Sequence, residues 1–320
     1  MNFIRGISSR IWLFLVIILL TSACTASIED AKEHLVNREY QSAIEILEWL
    51  SVKGVTDRKE RAQAQFLLAN IYYKPLGVKR DIKLAVEFFT QSAAAGLNLA
   101  QFDLANLYYK GDLVEQDIGQ AIYWYNNAAL AGHGLSMVNL GVIYDYGIGV
   151  RKNPQLALFW YQKAANKKEP LGYYNLAQLY YKGIIVKKDY TMAHQLFKRS
   201  ADMGVPEAKY DLGLMHYLRK APKSELQLAY FWFSQAALDN NYLAFNKLAY
   251  FFEQGIFVEP SDKSALTFYL LSDFYHPSEK KFTHLSEKMT VEDKDLAQDL
   301  FDQLKRKRAL KKFLTEVVTK

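Results

Sequence analysis

Residues 97–168 contain one segment written twice: LNLAQFDLANLYYKGDLVEQDIGQAIYWYNNAALAGHGLSMVNLGVIYDYGIGVRKNPQLALFWYQKAANKK. Each small or large residue of the first copy has a similar residue thirty-six positions later. The matched sets are Ala100, Leu104, Ala105, Tyr108, Ala121, Trp124, Tyr125, Ala128 and Ala129, and Ser136, Leu140, Gly141, Tyr144, Ala157, Trp160, Tyr161, Ala164 and Ala165. A period of roughly 20–50 residues is typical of stacked repeats, in which no unit buries its apolar face alone. The stretch therefore predicts a stack of helical hairpins.

The same register continues on both sides of this stretch. A leucine of the first helix recurs as Leu68, Leu104, Leu140, Leu176, Leu212 and Leu248. An alanine of the second helix recurs as Ala85, Ala121, Ala157, Ala193, Ala229 and Ala265. A bulky side chain, which we expect to fill the gap to the next unit, recurs as Phe88, Trp124, Trp160, Leu196, Trp232 and Phe268. Six units therefore run from 61 to 276 without insertion, and none shows strand alternation.

Short polar side chains stand just before the second helix of five units. There they can accept hydrogen bonds from the free N–H groups of the first helical turn. They are Asp81, Asp117, Asn153, Asp189 and Ser261. Pro154 suits the first position of a helix, and Gly147 and Gly149 allow a tight loop between the two helices.

The repeated pattern Ala-x-x-x-Leu-Gly-x-x-Tyr, Gly-x-Gly-Val-x-x-Asn and Ala-x-x-Trp-Tyr-x-x-Ala-Ala resembles the Sel1-like repeat, a relative of the tetratricopeptide repeat. The unit at 133–168 is the best match, and the resemblance covers about two-thirds of the chain. It implies an all-α fold: a right-handed α-solenoid of about six 36-residue Sel1-like, TPR-like hairpins plus terminal caps. It also implies a non-enzymatic adaptor that holds other proteins on the concave face of the solenoid.

Two units near the C-terminus depart from the pattern. Unit 205–240 has Arg219 and Pro222 where the glycine and valine should be. Unit 241–276 has Phe257 in place of the second glycine, and Ser272-Asp273 in place of the paired alanines. We expect reshaped loops in both units.

The sequence at each end of the repeat array predicts a capping segment. Residues 28–60 predict an N-terminal TPR-like capping hairpin, with helices near 28–36 and 38–50. Residues 277–320 predict C-terminal capping helices, the last of which begins at Thr290 and Asp293 and ends in a basic tail.

The first 23 residues have the composition of an export signal. Arg5 and Arg10 precede an apolar run at 11–20, which small residues separate from Cys24, the one cysteine of the chain. Ten helical residues span about 15 Å, half the hydrocarbon core of a bilayer. The segment resembles a bacterial lipoprotein signal, although Thr21 replaces the usual leucine.

That resemblance implies that Cys24 is lipidated and that residues 24–27 form a tether. The aspartate that follows the cysteine in inner-membrane lipoproteins is replaced by Thr25, which implies an outer-membrane lipoprotein facing the periplasm. A cleaved signal with a soluble periplasmic product and an uncleaved anchor are the alternatives.

The resemblance to tetratricopeptide hairpins also places a partner-binding groove on the first helices. Its rows lie two positions before the leucine, two after it and three beyond that. The aromatic and amide side chains in these rows are Phe66, Asn70, Tyr73, Phe102, Asn106, Tyr109, Tyr174, Gln178, Tyr181, Tyr210 and Tyr217. Rigid rings with amide neighbours suit peptide binding. The alternative interpretation is that the rings only pack between hairpins.

The formal net charge of +6 is concentrated near the C-terminus. Its basic residues are Lys305, Arg306, Lys307, Arg308, Lys311 and Lys312. A solvated helix face is one interpretation, and contact with an anionic lipid or polymer surface is the other. A charge confined to the tail does not indicate nucleic-acid binding.

The sequence lacks the patterns of common catalytic and cofactor sites. Its six histidines show no zinc spacing, and its glycines form neither a phosphate loop nor a dinucleotide fingerprint. We therefore predict no enzyme, no metal, no cofactor and no small-molecule substrate. His216 occupies a tyrosine position of the repeat, which predicts a core or interface imidazole.

Two classes of function remain. The first is a lipid-anchored scaffold for protein partners of the cell envelope, similar to Sel1-like lipoproteins of exopolysaccharide secretion. The second is a periplasmic regulatory subunit that restrains a sensor or another membrane partner.

Overall fold

The computed structural model describes residues 26–52, 56–74, 77–277 and 283–319, and their regular elements are α-helices. The predicted all-α fold class is confirmed. The predicted signal at 1–23 and the lipidation site Cys24 lie outside the described residues. Within the described ranges, no helix is both long and apolar enough to cross a membrane.

The described part of the chain divides into two compact units between Lys152 and Asn153. The helices of the first unit are α1 (Ile28–Val36), α2 (Tyr40–Ser51), α3 (Arg58–Tyr73), α4 (Ile82–Ala94), α5 (Asn98–Lys110), α6 (Ile118–Leu130) and α7 (Gly134–Tyr146). Those of the second are α8 (Pro154–Asn166), α9 (Pro170–Lys182), α10 (Tyr190–Asp202), α11 (Pro206–Tyr217), α12 (Leu226–Leu238), α13 (Tyr242–Gln254), α14 (Asp262–Tyr275), α15 (Thr283–Lys288), α16 (Val291–Leu304) and α17 (Lys307–Thr319).

Within each unit, the helices of the repeats pack against their neighbours in sequence order. The repeated alanines and leucines are buried between them, as at Leu68, Ala85, Leu104 and Ala121. Small side chains let helices approach closely, because no Cβ branch separates the backbones. Gly172 of α9 is the extreme case, since a Cβ there would lie 2.6 Å from the Cβ of Ala164 in α8.

In the first five repeats, a fully buried ring stands one residue after the position that the sequence singled out, whereas in the sixth the buried ring is Phe268 at that position itself. Full burial occurs in a second series at the same thirty-six-residue spacing: Phe89, Tyr125, Tyr161, Phe197 and Phe233. Trp124, Trp160 and Trp232 are only half-buried. Trp124 packs against an apolar cluster that the first and second repeats share, as expected of a side chain that fills the gap between units, and the helix turns the next residue fully inward.

Side-chain caps begin the second helices where the sequence predicted them. Asp81, Asp117 and Asp189 each accept a hydrogen bond of 2.9 Å from the backbone N–H three residues later. Asn153 and Ser261 do the same at 3.1 Å. α12 has Glu225 at the corresponding position, where no side-chain cap forms.

The two departing units keep left-handed backbone conformations at the substituted positions. Arg219 has φ of +56° and Phe257 has φ of +65°, close to the +69° of Gly183 and the +65° of Gly149. These two positions therefore keep the conformation of the glycines, but the loop of unit 205–240 is reshaped as expected, because α11 ends at Tyr217, one residue earlier than the corresponding ends of α5, α7, α9 and α13. The turn imposes the conformation on residues that disfavour it.

The C-terminal helices complete the core of the second unit. Leu285, Leu304 and Leu314 join its apolar cluster, and the Phe313 ring lies 6.0 Å from that of Phe252. Thr290 caps α16 by accepting a hydrogen bond of 3.1 Å from the N–H of Asp293, as predicted. The predicted single last helix is instead two helices.

Candidate partner-binding surface

The residues predicted to line the groove lie on the first helices of four repeats and are all half-buried. We call this set the first-helix face: Phe66, Asn70, Tyr73, Phe102, Asn106, Tyr109, Tyr174, Gln178, Tyr181, Tyr210 and Tyr217. A half-buried side chain contributes both to packing and to the surface. The two interpretations that the sequence left open are therefore compatible.

The rings of the first-helix face pack against the buried ring of their own hairpin. In the first repeat, Phe66 and Tyr73 lie 6.0 and 6.1 Å from the centre of Phe89, and both meet it edge-on. Tyr109 meets Tyr125 and Tyr181 meets Phe197 in the same edge-on way. Phe102, Tyr174 and Tyr210 contact the buried ring of their hairpin at a tilt, and Tyr217 contacts Phe251 instead, also tilted. Contacts of this kind fix the orientation of each ring while leaving part of its surface free.

The amides of this face are used within the chain. The side-chain N–H of Asn70 donates to the carbonyl oxygen of Phe66 at 2.9 Å. Asn106 accepts a hydrogen bond of 2.6 Å from the hydroxyl of Tyr125. The amide of Gln178 donates to Asp211 at 2.6 Å. Each of these three amides therefore already forms a hydrogen bond within the protein.

Two aspartates belong to this surface and were missed at the level of sequence. Asp103 and Asp211 each stand one residue before the repeat leucine. Burial raises the pKa of Asp103 to about 6, against the lowering effect of Lys74. Burial also raises the pKa of Asp211 to about 6, although hydrogen bonds from Tyr174 and Gln178 lower it. A carboxylate held in a partly dry site is a common mark of a functional surface.

A cavity of about 200 Å³ opens beside the first of these aspartates. It lies between the first and second repeats and is lined mainly by polar side chains and one tyrosine ring. The lining residues are Asn70, Tyr73, Lys74, Phe89, Asp103, Asn106, Leu107 and Lys110. A second recess of about 290 Å³, in the second unit, includes Tyr210, Asn246 and Tyr250. Both recesses include residues of the first-helix face.

The basic run spans the corner between α16 and α17. Three of its lysines form ion pairs: Lys305 with Asp302 at 2.6 Å, Lys307 with Asp239 at 3.2 Å and Lys312 with Glu316 at 3.7 Å. Arg306, Arg308 and Lys311 are exposed and form no ion pair with the described residues. Contact of this run with an anionic surface stays a prediction.

The histidine predicted to lie in the core does so. His216 is buried, and its Nε2 lies 3.4 Å from Nε2 of His194. Burial lowers the pKa of both imidazoles. In the part of the chain that the structure describes, no three histidine, cysteine or acidic side chains are grouped so that they could hold a metal ion.

Comparison with known proteins divides the chain into six repeats that begin one to three residues after the boundaries inferred from the sequence. Six consecutive segments, 62–97, 98–133, 134–168, 170–205, 206–241 and 244–272, match the family model described as Sel1 repeat. No curated protein matches the chain.

Solved structures of similar fold include a Sel1 repeat protein from Oxalobacter formigenes. It is 25% identical, with 80% of this chain and 98% of that chain covered and a TM-score of 0.69. A protective antigen of uropathogenic Escherichia coli strains that displays an SLR fold is 22% identical, with 92% and 71% covered and a TM-score of 0.51. The second likeness shows the fold alone.

Proposed function

Because the chain belongs to the Sel1 repeat family, we propose that it is an adaptor that binds other proteins through its first-helix face. One observation carries this proposal. Tyr73, Tyr109 and Tyr181 stand at the matched position of three hairpins, and each is held edge-on by a buried ring and keeps part of its surface free. Such rings offer a large contact area in a fixed orientation.

Fixed rings are suited to binding for an energetic reason. Ordering a mobile side chain at an interface costs about 0.5–1.5 kcal/mol, and a ring that is already packed avoids part of that cost. Aromatic side chains also dominate the few residues that supply most of the binding energy. Tyr109 and Tyr181 represent these rings in the tests below, because they occupy the same position of two repeats and each meets a fully buried ring edge-on.

We propose further that the adaptor is a lipoprotein of the outer membrane, facing the periplasm, and that its partners are proteins of an envelope or exopolysaccharide-secretion assembly. The first support is the basic and apolar leader that ends at Cys24. The second is that Ser27, three residues after Cys24, caps the first described helix. Several acyl chains on one cysteine would hold the chain durably at a membrane.

The anchor is tested with Cys24→Ala in the full-length chain. Metabolic labelling with palmitate should label the wild type and not the variant, and the variant should leave the outer-membrane fraction. Unlabelled wild-type chain in the soluble periplasmic fraction would contradict lipidation.

The binding face is tested by photo-crosslinking in intact cells. A photoreactive residue placed at Tyr109 or Tyr181 should form crosslinks to a discrete partner, which mass spectrometry can identify. Tyr123 is the matched control, because it lies in the same repeat as Tyr109 and is 56% exposed on the second helix. Crosslinks from position 123, with none from 109 or 181, would move the interface to the other face and contradict the proposal.

A further inference from the structure

Asp103 and Asp211 occupy the same position of the second and the fifth repeat. The surroundings match as well. Lys74 acts electrostatically on Asp103, and Lys182, 108 residues after Lys74, acts in the same way on Asp211. The chain has thus built one acidic site twice, once in each compact unit.

At Asp211 the preceding repeat supplies hydrogen-bond donors. The amide of Gln178 donates to Oδ2 of Asp211 at 2.6 Å, and the hydroxyl of Tyr174 also bonds to this carboxylate. Gln178 additionally lies 3.2 Å from the Tyr174 hydroxyl. A glutamine carboxamide therefore occupies the space in front of this acid.

At Asp103 the corresponding donors are missing. Phe66 replaces the tyrosine and has no hydroxyl, and Asn70 replaces the glutamine. The shorter amide of Asn70 donates to the carbonyl of Phe66 instead. Among the described residues, none donates a hydrogen bond to the Asp103 carboxylate, and the space in front of it is the cavity of about 200 Å³. A half-buried carboxylate without donors is destabilising unless something else supplies them.

We propose that this cavity is a subsite for the side-chain carboxamide of a glutamine or asparagine in the bound protein. The carboxamide N–H donates to Asp103, and its oxygen accepts from Lys74 or Lys110, which line the same cavity. The inference rests on the proposed function, because it names a side chain of the partner that the first-helix face holds.

The cavity carries charges of both signs, so any charged occupant meets at least one group of its own sign. A lysine or arginine from the partner would meet Lys74 and Lys110, and an acidic side chain would meet Asp103. A carboxamide carries both a donor and an acceptor without a net charge, so it can pair with both kinds of group. The chain itself uses this solution at Asp211, where Gln178 is the occupant.

The test is an NMR titration of the full-length chain with N-acetyl-glutamine amide. The lysine and glutamate analogues of this compound are the comparison probes. We expect the glutamine compound to shift the signals of Tyr73, Asp103 and Asn106 with an affinity about tenfold above either charged analogue. Equal or tighter binding of a charged analogue would overturn the proposal.

Two double variants exchange the residues that surround Asp103 and Asp211. Phe66→Tyr with Asn70→Gln should fill the cavity from within and abolish the shifts. Tyr174→Phe with Gln178→Asn should create a second site, with new shifts around Asp211. Unchanged shifts in the first variant would overturn the proposal, and Asp103→Ala, which needs no new packing, gives the same test if that variant does not fold.

Failure of this inference can be told apart from failure of the proposed function. If crosslinks from position 109 persist undiminished in the Phe66→Tyr, Asn70→Gln variant, the proposed binding face is supported and the carboxamide subsite is contradicted. Absence of crosslinks from 109 and 181 in the wild type would remove the proposed function, whatever the titration shows.

Discussion

Asp103 makes the folded protein less stable at neutral pH, because its pKa rises from 3.8 to about 6 on folding. Between these values the folded chain binds the proton more tightly than the unfolded chain does. The contribution of Asp103 to stability is therefore most favourable in acid, falls as the pH rises through this window and is level above it. Asp103 lowers the stability of the fold and faces a cavity, which indicates that it is kept for function.

Asp103→Asn should remove this cost. We expect the variant to exceed the wild type in free energy of unfolding by about 1–2 kcal/mol at pH 7.5, after allowance for the exposed part of the side chain. The difference should disappear near pH 4. Urea unfolding at the two pH values measures it.

Asp211→Asn is the matched control. Its carboxylate is raised to a similar pKa but accepts hydrogen bonds from Gln178 and Tyr174. The substitution removes a used acceptor along with the charge, so no such gain should follow. The absence of a gain in Asp103→Asn would mean that Asp103 has hidden donors of its own. A similar gain in both variants would mean that the hydrogen bonds at Asp211 do not offset the cost of its burial.

At the residue scale, only part of the candidate surface could be predicted from the sequence. The positions of Tyr109 and Tyr181 follow from the repeat register, and each lies half-buried on a first helix. Asp103 does not stand out, because a charged residue on a helix usually marks a solvated face. Its burial depends on the neighbouring repeat, and the one-dimensional pattern carries no such information.

At the scale of the element, close helix contacts depend on single small residues. Gly172 stands where other repeats have alanine or serine, as at Ala100 and Ser136. A Cβ at this position would lie 2.7 Å from the backbone nitrogen of Ala165, which cannot move without shifting α8. The tightest contact of the α8–α9 pair is thus set by the absence of one methyl group.

Gly172→Ala should lower the free energy of unfolding by about 1–3 kcal/mol, even though alanine favours a helix by about 1 kcal/mol. Gly119→Ala is the control, because Gly119 is exposed in α6 and its nearest contact is the Asp117 side chain at 3.2 Å. That change should be neutral or slightly stabilising. Chemical denaturation of both variants compares them.

Element boundaries followed from the sequence where local chemistry decides them. The caps at Asp81, Asp117 and Asp189 are examples, since a short acceptor before an apolar-periodic segment satisfies free N–H groups. The break of the last helix after Leu304 was not foreseen, because Lys305, Arg306 and Lys307 all favour helix. Packing of α17 against α12 and α16 decides the break.

At the scale of the whole molecule, an array of repeats needs a closed end. In the second unit, Phe313 of α17 packs against Phe252 at 6.0 Å and Phe268 at 5.9 Å, which would otherwise face solvent at the last repeat. Terminal caps of this kind are general in repeat proteins. The sequence predicted helices here but could not show which rings they cover.

Phe313→Ala should therefore lower the free energy of unfolding by about 2–4 kcal/mol. Lys312→Ala, one residue before it on the exposed side of α17, should change stability by no more than about 0.5 kcal/mol. Calorimetry or urea unfolding separates the two. Equal effects would mean that α17 does not hold the end of the second unit.

The measurement that tests the central claim most directly is amide hydrogen exchange on the full-length chain, with and without the partner identified by crosslinking. If the first-helix face binds the partner, exchange should slow in α5 (98–110) and α9 (170–182) and stay unchanged in α6 (118–130) and α10 (190–202). Protection of α6 and α10 with none in α5 and α9 would contradict it.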